Sequence, residues 1–319
     1  MSPPPLLVLG VRRSGTTLLR VMLDRHPDLA VPDESYFIPQ LADRQRSHVD
    51  VEAFLDDLSR LPTILEWEIP LDEVRTRLRP GMPLGGAIGA VYETYATLHG
   101  KRRWGDKTPM YMQRLPLIER LFPDARYVHL IRDGRDTAAS FASMPAGIVT
   151  RTWAHPRNAG EFACQWRTEV EAARSLGARV GDRYLEIRYE ELVADPERQL
   201  RRICDLAALE FDPAMLEYGG RIDVSAKPHQ QSLAKAPTPG LRDWRRELSA
   251  ADVTAFEEVA GDLLRELGYD ASVTSTAPGR ARLAWYQARI SAWNVSSRAL
   301  RRSPAWKRRH PQLSWPSPS

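Results

Sequence analysis

Cysteine is scarce: Cys164 and Cys204 are the only two in 319 residues. Two thiols build neither a disulfide framework nor a metal cluster, and a reducing compartment suits them best. No apolar run reaches the roughly 18 residues that a membrane helix requires. The seven histidines are scattered with no paired spacing, so no metal is expected. The start, Met1-Ser2-Pro3-Pro4-Pro5, shows no basic n-region or cleavage site. This favours a cytoplasmic location over secretion. Lysine is rare beside arginine and alanine, a composition typical of a GC-rich bacterium. Acidic residues vanish at the end of the chain: nine Lys and Arg and no Asp or Glu lie between Pro278 and Ser319. The preceding residues therefore carry −5 against a chain total of +4. That mildly acidic body excludes a general nucleic-acid-binding surface.

What is present is an ordinary globular composition, 43% hydrophobic and 27% charged. The length suits one large α/β domain or two small ones. Apolar runs at Leu6–Leu9, Leu29–Val31, Arg126–Ile131 and Tyr184–Ile187 read as strands. Helical spacing recurs at 18–23, 87–99, 111–121, 137–143, 162–180, 195–209 and 248–267. Short helices and connections fill 51–79, broken by Pro62, Pro70 and Pro80. Residues 80–86 read as a flexible joint and 101–109 as a polar connection. Residues 144–160 read as a loop or lid over a site, and 218–240 as a second loop. Strands alternating with helices predict a P-loop-like α/β fold of three layers, a central parallel sheet with helices on both faces. The basic stretch is expected to be partly helical over 282–301 and disordered beyond. The domain assignment is thus 1–272 for the α/β body and 273–319 for a basic extension.

The first strand opens into Gly10-Val11-Arg12-Arg13-Ser14-Gly15-Thr16-Thr17 and then a helix. Such a loop aims backbone N–H groups at one point, where a phosphate binds well. Against the nucleotide P-loop, Gly10, Gly15 and Thr17 fit, but Thr16 stands in the lysine position and the basic residue is Arg13. The loop reads as a phosphate cradle not built for ATP hydrolysis. Magnesium-dependent phosphoryl transfer would want both the lysine and a Walker acid.

Three further motifs follow in order: Gly105-Asp106-Lys107-Thr108-Pro109, Tyr127 through Asp136 running on to Ser140, and Arg188-Tyr189-Glu190-Glu191-Leu192. With the loop they resemble the sulfotransferases that use 3′-phosphoadenosine 5′-phosphosulfate, over about residues 6–270. Leu23-Asp24-Arg25-His26-Pro27-Asp28, and Asp33-Glu34-Ser35 before Ile38-Pro39, resemble the tyrosylprotein sulfotransferases and their bacterial relatives.

The resemblance implies the roles. Glu34 is the general base, with Asp33 its competitor one residue away. Arg13 contacts the 5′-phosphate and the leaving oxygen, where a guanidinium can hold two oxygens at once. Ser14, Gly15, Thr16 and Thr17 supply donors to the same phosphate, and Lys107 touches the transferring sulfonate. Arg132 and Ser140 match the 3′-phosphate site, with Arg132 at the carboxyl end of a strand, where ligands gather. Tyr189 matches a tyrosine near the nucleotide, with a core tyrosine as the rival assignment. Asp133 and Arg135 are expected to pair. Ser232 and Trp244 match a late serine and a tryptophan beside a basic residue. Asp243 replaces the tyrosylprotein group's lysine, which leaves Arg242 or Arg245 to reach the 3′-phosphate.

The expected reaction is transfer of sulfonate to the hydroxyl of a small metabolite, glycan or natural product. A peptide tyrosine is the alternative acceptor. A nucleotide kinase is a rival enzyme, and a non-catalytic nucleotide-binding or anionic-surface adaptor is a reading of another class. The basic tail suits weak contact with a membrane or other anionic surface, and a homodimer is left open.

Overall fold

Leu6-Leu7-Val8-Leu9 is apolar throughout because both faces of this strand are covered, as expected of a central strand in a parallel sheet. The computed structural model describes residues 3–45, 47–144, 155–217 and 243–302. The chain divides into two compact units: Met1–Arg132 with Glu169–Leu241, and Asp133–Thr168 with Arg242–Ser319.

The first unit is built on five parallel strands in the order β2-β3-β1-β4-β5. Its elements begin with β1 (Leu6–Leu9), α1 (Thr16–Asp24), β2 (Leu29–Ala30) and α2 (Ile38–Arg44). Next come α3 (Val51–Ser59), α4 (Pro62–Glu66), α5 (Leu71–Arg77), α6 (Leu84–Leu98) and β3 (Arg103–Asp106). Then follow α7 (Leu115–Leu121) and β4 (Arg126–Ile131). After α8 (Gly134–Ala142) of the second unit and α9 (Ala159–Val180), whose residues from Glu169 on belong to the first unit, come β5 (Tyr184–Arg188), α10 (Tyr189–Ala194) and α11 (Pro196–Ala207).

The α/β fold expected from the alternation of elements is the one observed. Side chains alternate across the sheet. Leu6, Val8, Val128, Leu130 and Ile187 bury one face against Leu18, Leu19, Met22 and Leu23 of α1 and Leu200, Ile203 and Cys204 of α11. On the other face Tyr184 and Glu186 meet α9, where Arg174 pairs with Glu186 at 3.2 Å. A Cβ on Gly177 would lie 2.6 Å from the Tyr184 ring.

Some boundaries move. Residues 101–109 were expected to be a connection, yet 103–106 form β3, between β2 and β1. Arg103-Trp104-Gly105-Asp106 carries a single large apolar side chain, so its strand character comes from its neighbours rather than from propensity. Gly105 suits this place because a Cβ there would sit 2.6 Å from the Leu6 carbonyl oxygen. Trp104 stacks on Tyr92 with ring centroids 4.4 Å apart. The presumed joint at 80–86 ends in helix, since α6 starts at Leu84. Residues 109–114 form a 3₁₀ turn before α7 instead of one continuous helix, and α8 starts at Gly134, earlier than expected.

In the second unit Asp133 caps α8, accepting from the Arg135 N–H at 2.9 Å. The expected Asp133–Arg135 pair forms, with an Nη2–Oδ2 distance of 2.7 Å. Arg135 also reaches Glu257 at 2.7 Å and lies 4.0 Å from the Trp244 ring centre. This unit also holds α12 (Trp244–Glu247), α13 (Ala250–Glu266) and α14 (Ala277–Arg302). Buried Arg289 of α14 grips Glu161 through two nitrogens, at 2.8 and 3.2 Å. Among the described residues no helix is long and apolar enough to cross a membrane. Residues 145–154 of the expected lid, the whole second loop at 218–240, and the tail after 302 lie outside the described residues.

Buried His129 in β4 makes acid stability testable. It bonds the Tyr184 hydroxyl at 2.6 Å, and burial pushes its imidazole down to about 3 from 6.5. Below pH 6.5 the unfolded chain takes a proton that the folded chain refuses. Stability is therefore expected to fall by about 1.4 kcal/mol per pH unit from this residue down to about pH 3. Buried Asp106 works oppositely: raised from 3.8 to about 6, its contribution is present at low pH and lost as pH rises through 6. The comparison that isolates His129 is urea unfolding of wild type and His129→Gln at pH 7 and pH 5. The variant should lose less stability on acidification than the wild type.

Candidate active site

The site forms at the carboxyl ends of the strands, where the loop after β1 lies beside the end of β4. Leu9 is in register with His129, and a Cβ on Gly10 would sit 2.9 Å from the Leu130 carbonyl oxygen. This is the topological switch of the sheet: the chain runs from β1 out to β2 and β3, then crosses to β4.

The loop is tightly held. Ser14 donates through its hydroxyl to the Val11 carbonyl at 2.6 Å, and its N–H reaches the same oxygen at 3.1 Å. Arg13 takes φ 72, a left-handed conformation unusual for a residue with a side chain. Gly15 takes φ 94 at the N-cap of α1, so no side chain caps the first-turn N–H groups of Thr16 and Thr17. Those groups and the helix dipole fit a bound phosphate. Gly15 also lies against Tyr189, where a Cβ would meet the ring at 2.4 Å. Arg132, at the end of β4, places its guanidinium 4.5 Å from the centre of that same ring. Loop, Tyr189 and Arg132 therefore form one continuous wall.

Lys107 follows β3 and is 1% exposed. Its ammonium forms an ion pair with Glu34 and lies 3.4 Å from the Thr17 hydroxyl. Burial pulls the lysine below its ordinary pKa, while the Glu34 charge opposes that shift. The Glu34 side chain remains 24% exposed, so solvent and ligands can reach it. Asp33, its competitor, turns to Arg20 at 3.1 Å and is half exposed. Of the two carboxylates, only Glu34 faces the cation beside the loop.

Two further side chains adjoin the Glu34–Lys107 pair. Tyr36, at φ 54 and 43% exposed, donates its hydroxyl to the Glu34 carboxylate. Burial of the ring and the Glu34 charge raise the phenol above its ordinary pKa. Asp106 is buried directly before Lys107. Its signal in the sequence was its place beside Lys107 in the motif Gly105-Asp106-Lys107-Thr108-Pro109.

Ser140 is buried on α8 of the second unit, and its carbonyl accepts from the Ser143 hydroxyl at 3.0 Å. Arg245 lies 4.5 Å from the Trp244 ring centre. Ser232 and Arg242 lie outside the described residues. Among the described residues there is no group of three or more His, Cys, Asp or Glu side chains that could hold a metal ion.

Known proteins share this sequence and architecture. Residues 4–213 match the model of the sulfotransferase family. Protein-tyrosine sulfotransferase A of Caenorhabditis elegans is 29% identical over 276 residues, 84% of this chain and 67% of that protein. Nodulation protein NoeE of Sinorhizobium fredii is 30% identical over 302 residues, 86% of this chain and 68% of that protein. The solved sulfotransferase domain from the Synechococcus PCC 7002 olefin synthase superposes with a TM-score of 0.58 at 29% identity, covering 84% of this chain and 96% of that domain. The switch-point loop, the matched span and the shared fold agree, and the chain belongs to the sulfotransferase family.

Proposed function

We propose that this sulfotransferase moves a sulfonate from 3′-phosphoadenosine 5′-phosphosulfate to an acceptor hydroxyl, with Glu34 as general base. One observation carries the reading: the buried Lys107 ammonium bridges the Thr17 hydroxyl of the anion loop and the Glu34 carboxylate. Donor loop and base thus lie within reach of a single cation.

In this reading the N–H groups and hydroxyls of Ser14, Gly15, Thr16 and Thr17 hold the 5′-phosphate. Arg13 and Lys107 stabilise charge on the leaving and transferring oxygens. The resemblance assigns Arg132 and Ser140 to the 3′-phosphate and Tyr189 to the nucleotide. Ser232, the match to the family's late serine, is assigned a catalytic role on the resemblance alone. Glu34 takes the acceptor hydroxyl proton as the new oxygen–sulfur bond forms in line. The sulfur–oxygen bond to the 5′-phosphate breaks, leaving adenosine 3′,5′-bisphosphate. Two protein cations supply the charge that phosphotransferases take from magnesium, so turnover is expected to survive chelation of divalent cations.

The acceptor we favour is a small metabolite, glycan or natural product. Similarity to NoeE and to the olefin synthase domain, neither named for peptide tyrosine, supports this choice. A peptide tyrosine is the second reading, favoured by the Tyr36 phenol hydrogen-bonded to Glu34 and by the C. elegans relative. A cytoplasmic location, suited to the two lone cysteines, and contact of the basic tail with an anionic surface belong to the same proposal, and a homodimer stays open.

The deciding experiment incubates the protein with radiolabelled donor and separate metabolite, glycan and tyrosine-peptide pools, with and without EDTA. Label on one pool in both conditions is the expected result; phosphate transfer from ATP would overturn the reading. Adenosine 3′,5′-bisphosphate at 100 times its Kd should raise stability by about 2.7 kcal/mol. No thermal shift at millimolar ligand would refute the donor assignment.

A further inference from the structure

We infer that Asp106 is a positioning residue for the reaction, the buried hub that keeps Glu34 and Lys107 in register through Ser35. The inference rests on the reading of Glu34 as base. Asp106 ends β3 and covalently precedes Lys107, while Ser35 covalently follows Glu34. The two halves of the Glu34–Lys107 ion pair thus hang from two neighbouring residues, and those neighbours are bonded to each other.

The bonds run in one direction. Asp106 Oδ2 accepts from the Ser35 hydroxyl at 2.8 Å, from the Tyr92 hydroxyl at 2.7 Å and from the Thr108 hydroxyl at 3.2 Å. Because Ser35 gives its proton to Asp106, the Tyr111 hydroxyl at 2.6 Å must donate to Ser35. Tyr111 in turn accepts the Ile38 N–H at 3.2 Å. Thr108 accepts the Ser35 N–H at 3.0 Å, and the Ser35 carbonyl accepts from Thr63 at 2.8 Å. Every polar atom of Ser35 is therefore held, and the donors converge on one ionised carboxylate.

Burial explains why such a hub is rigid. Ser35 is 0% exposed and Asp106 2%, so no water competes for these bonds. Burial and the Asp106 charge both raise Tyr92 and Tyr111 well above their ordinary pKa, which keeps both phenols protonated as donors. The catalytic carboxylate itself stays solvent-reachable, one residue from this fixed point. A flexible glutamate placed on a clamped backbone is pre-organised without being sealed off.

The test is a double-mutant cycle. Asp106→Asn removes the charge, and Ser35→Ala removes only the link between the hub and the Glu34 segment. With radiolabelled donor and the acceptor pool labelled by the wild type, both variants should lose about 10- to 100-fold in kcat, the scale of an ångström misplacement. The apparent KM for the pool and the Kd for adenosine 3′,5′-bisphosphate should stay within about twofold, since the hub touches neither ligand. In a Glu34→Gln background neither change should lower the residual rate further. Wild-type kcat in Ser35→Ala, or losses that multiply with Glu34→Gln, would overturn the inference. Should Asp106→Asn fail to fold, Ser35→Ala alone decides it. Full activity of Glu34→Gln would instead bring down the base assignment, and this inference with it.

Discussion

Replacing Glu34 by glutamine is expected to lower kcat by about 10²- to 10⁴-fold, the usual contribution of a positioned general base. That loss corresponds to roughly 3 to 5 kcal/mol of barrier. Glutamine keeps the volume and one carbonyl acceptor, so Lys107 and Tyr36 retain a partner while the proton acceptor is gone. Binding of adenosine 3′,5′-bisphosphate should change little, because Glu34 faces Lys107 and Tyr36 and not the wall of Gly15, Tyr189 and Arg132. The decisive measurement is a split between kcat and Kd. If both fall together, Glu34 is a structural support of the donor loop and Asp33 must be reconsidered as the base. The companion variant Asp33→Asn should remain within a few-fold of wild type, since Asp33 is engaged with Arg20 at the surface.

Lys107→Met is the second large effect, and there activity and stability should move apart. Removing the cation beside Thr17 should lower kcat by about 10²- to 10³-fold, as when one preorganised donor to a developing charge is lost. A buried charge is otherwise a burden. The ammonium is almost fully enclosed and its pKa is depressed by burial, so its protonated form costs stability in the fold. Methionine fills the space without that cost, and Glu34, still a quarter exposed, can be hydrated when its partner is gone. The midpoint of thermal unfolding should therefore hold or rise. Adenosine 3′,5′-bisphosphate, which lacks the sulfonate, should bind the variant as it binds wild type. The sulfonate-bearing donor should bind less well. A parallel loss for both ligands would place Lys107 at the phosphate instead of the sulfonate.

Much of this could be read along the chain. β1 and β4 are apolar runs of ordinary strand length, and α1 shows a clean helical repeat behind a glycine-bearing loop. Motif order gave Arg13, Glu34, Lys107, Arg132 and Tyr189 as candidates. The structure brings Thr17, Lys107 and Glu34 together in one cluster and Gly15, Tyr189 and Arg132 in another. β3 was invisible because its four residues obey no strand pattern and depend on pairing with Leu29–Ala30 and Leu6–Leu7. Ser35 was equally hidden: as a residue of a turn it looks solvated, and only long-range bonds reveal it as fully enclosed.

The sequence by itself determined the parallel α/β fold, the glycine-bearing loop between β1 and α1 and the membership in the sulfotransferase family, because these depend on local periodicity and on motifs of fixed spacing. Only the tertiary structure pairs Glu34 with Lys107 and Asp33 with Arg20. Adjacent residues in a turn point in different directions, and which one meets a buried lysine 73 positions away depends on how β3 is threaded beside β1. It also turned Asp106 from a motif letter into a buried hub. A carboxylate acquires that role through desolvation and converging donors, and neither exists before the chain has folded.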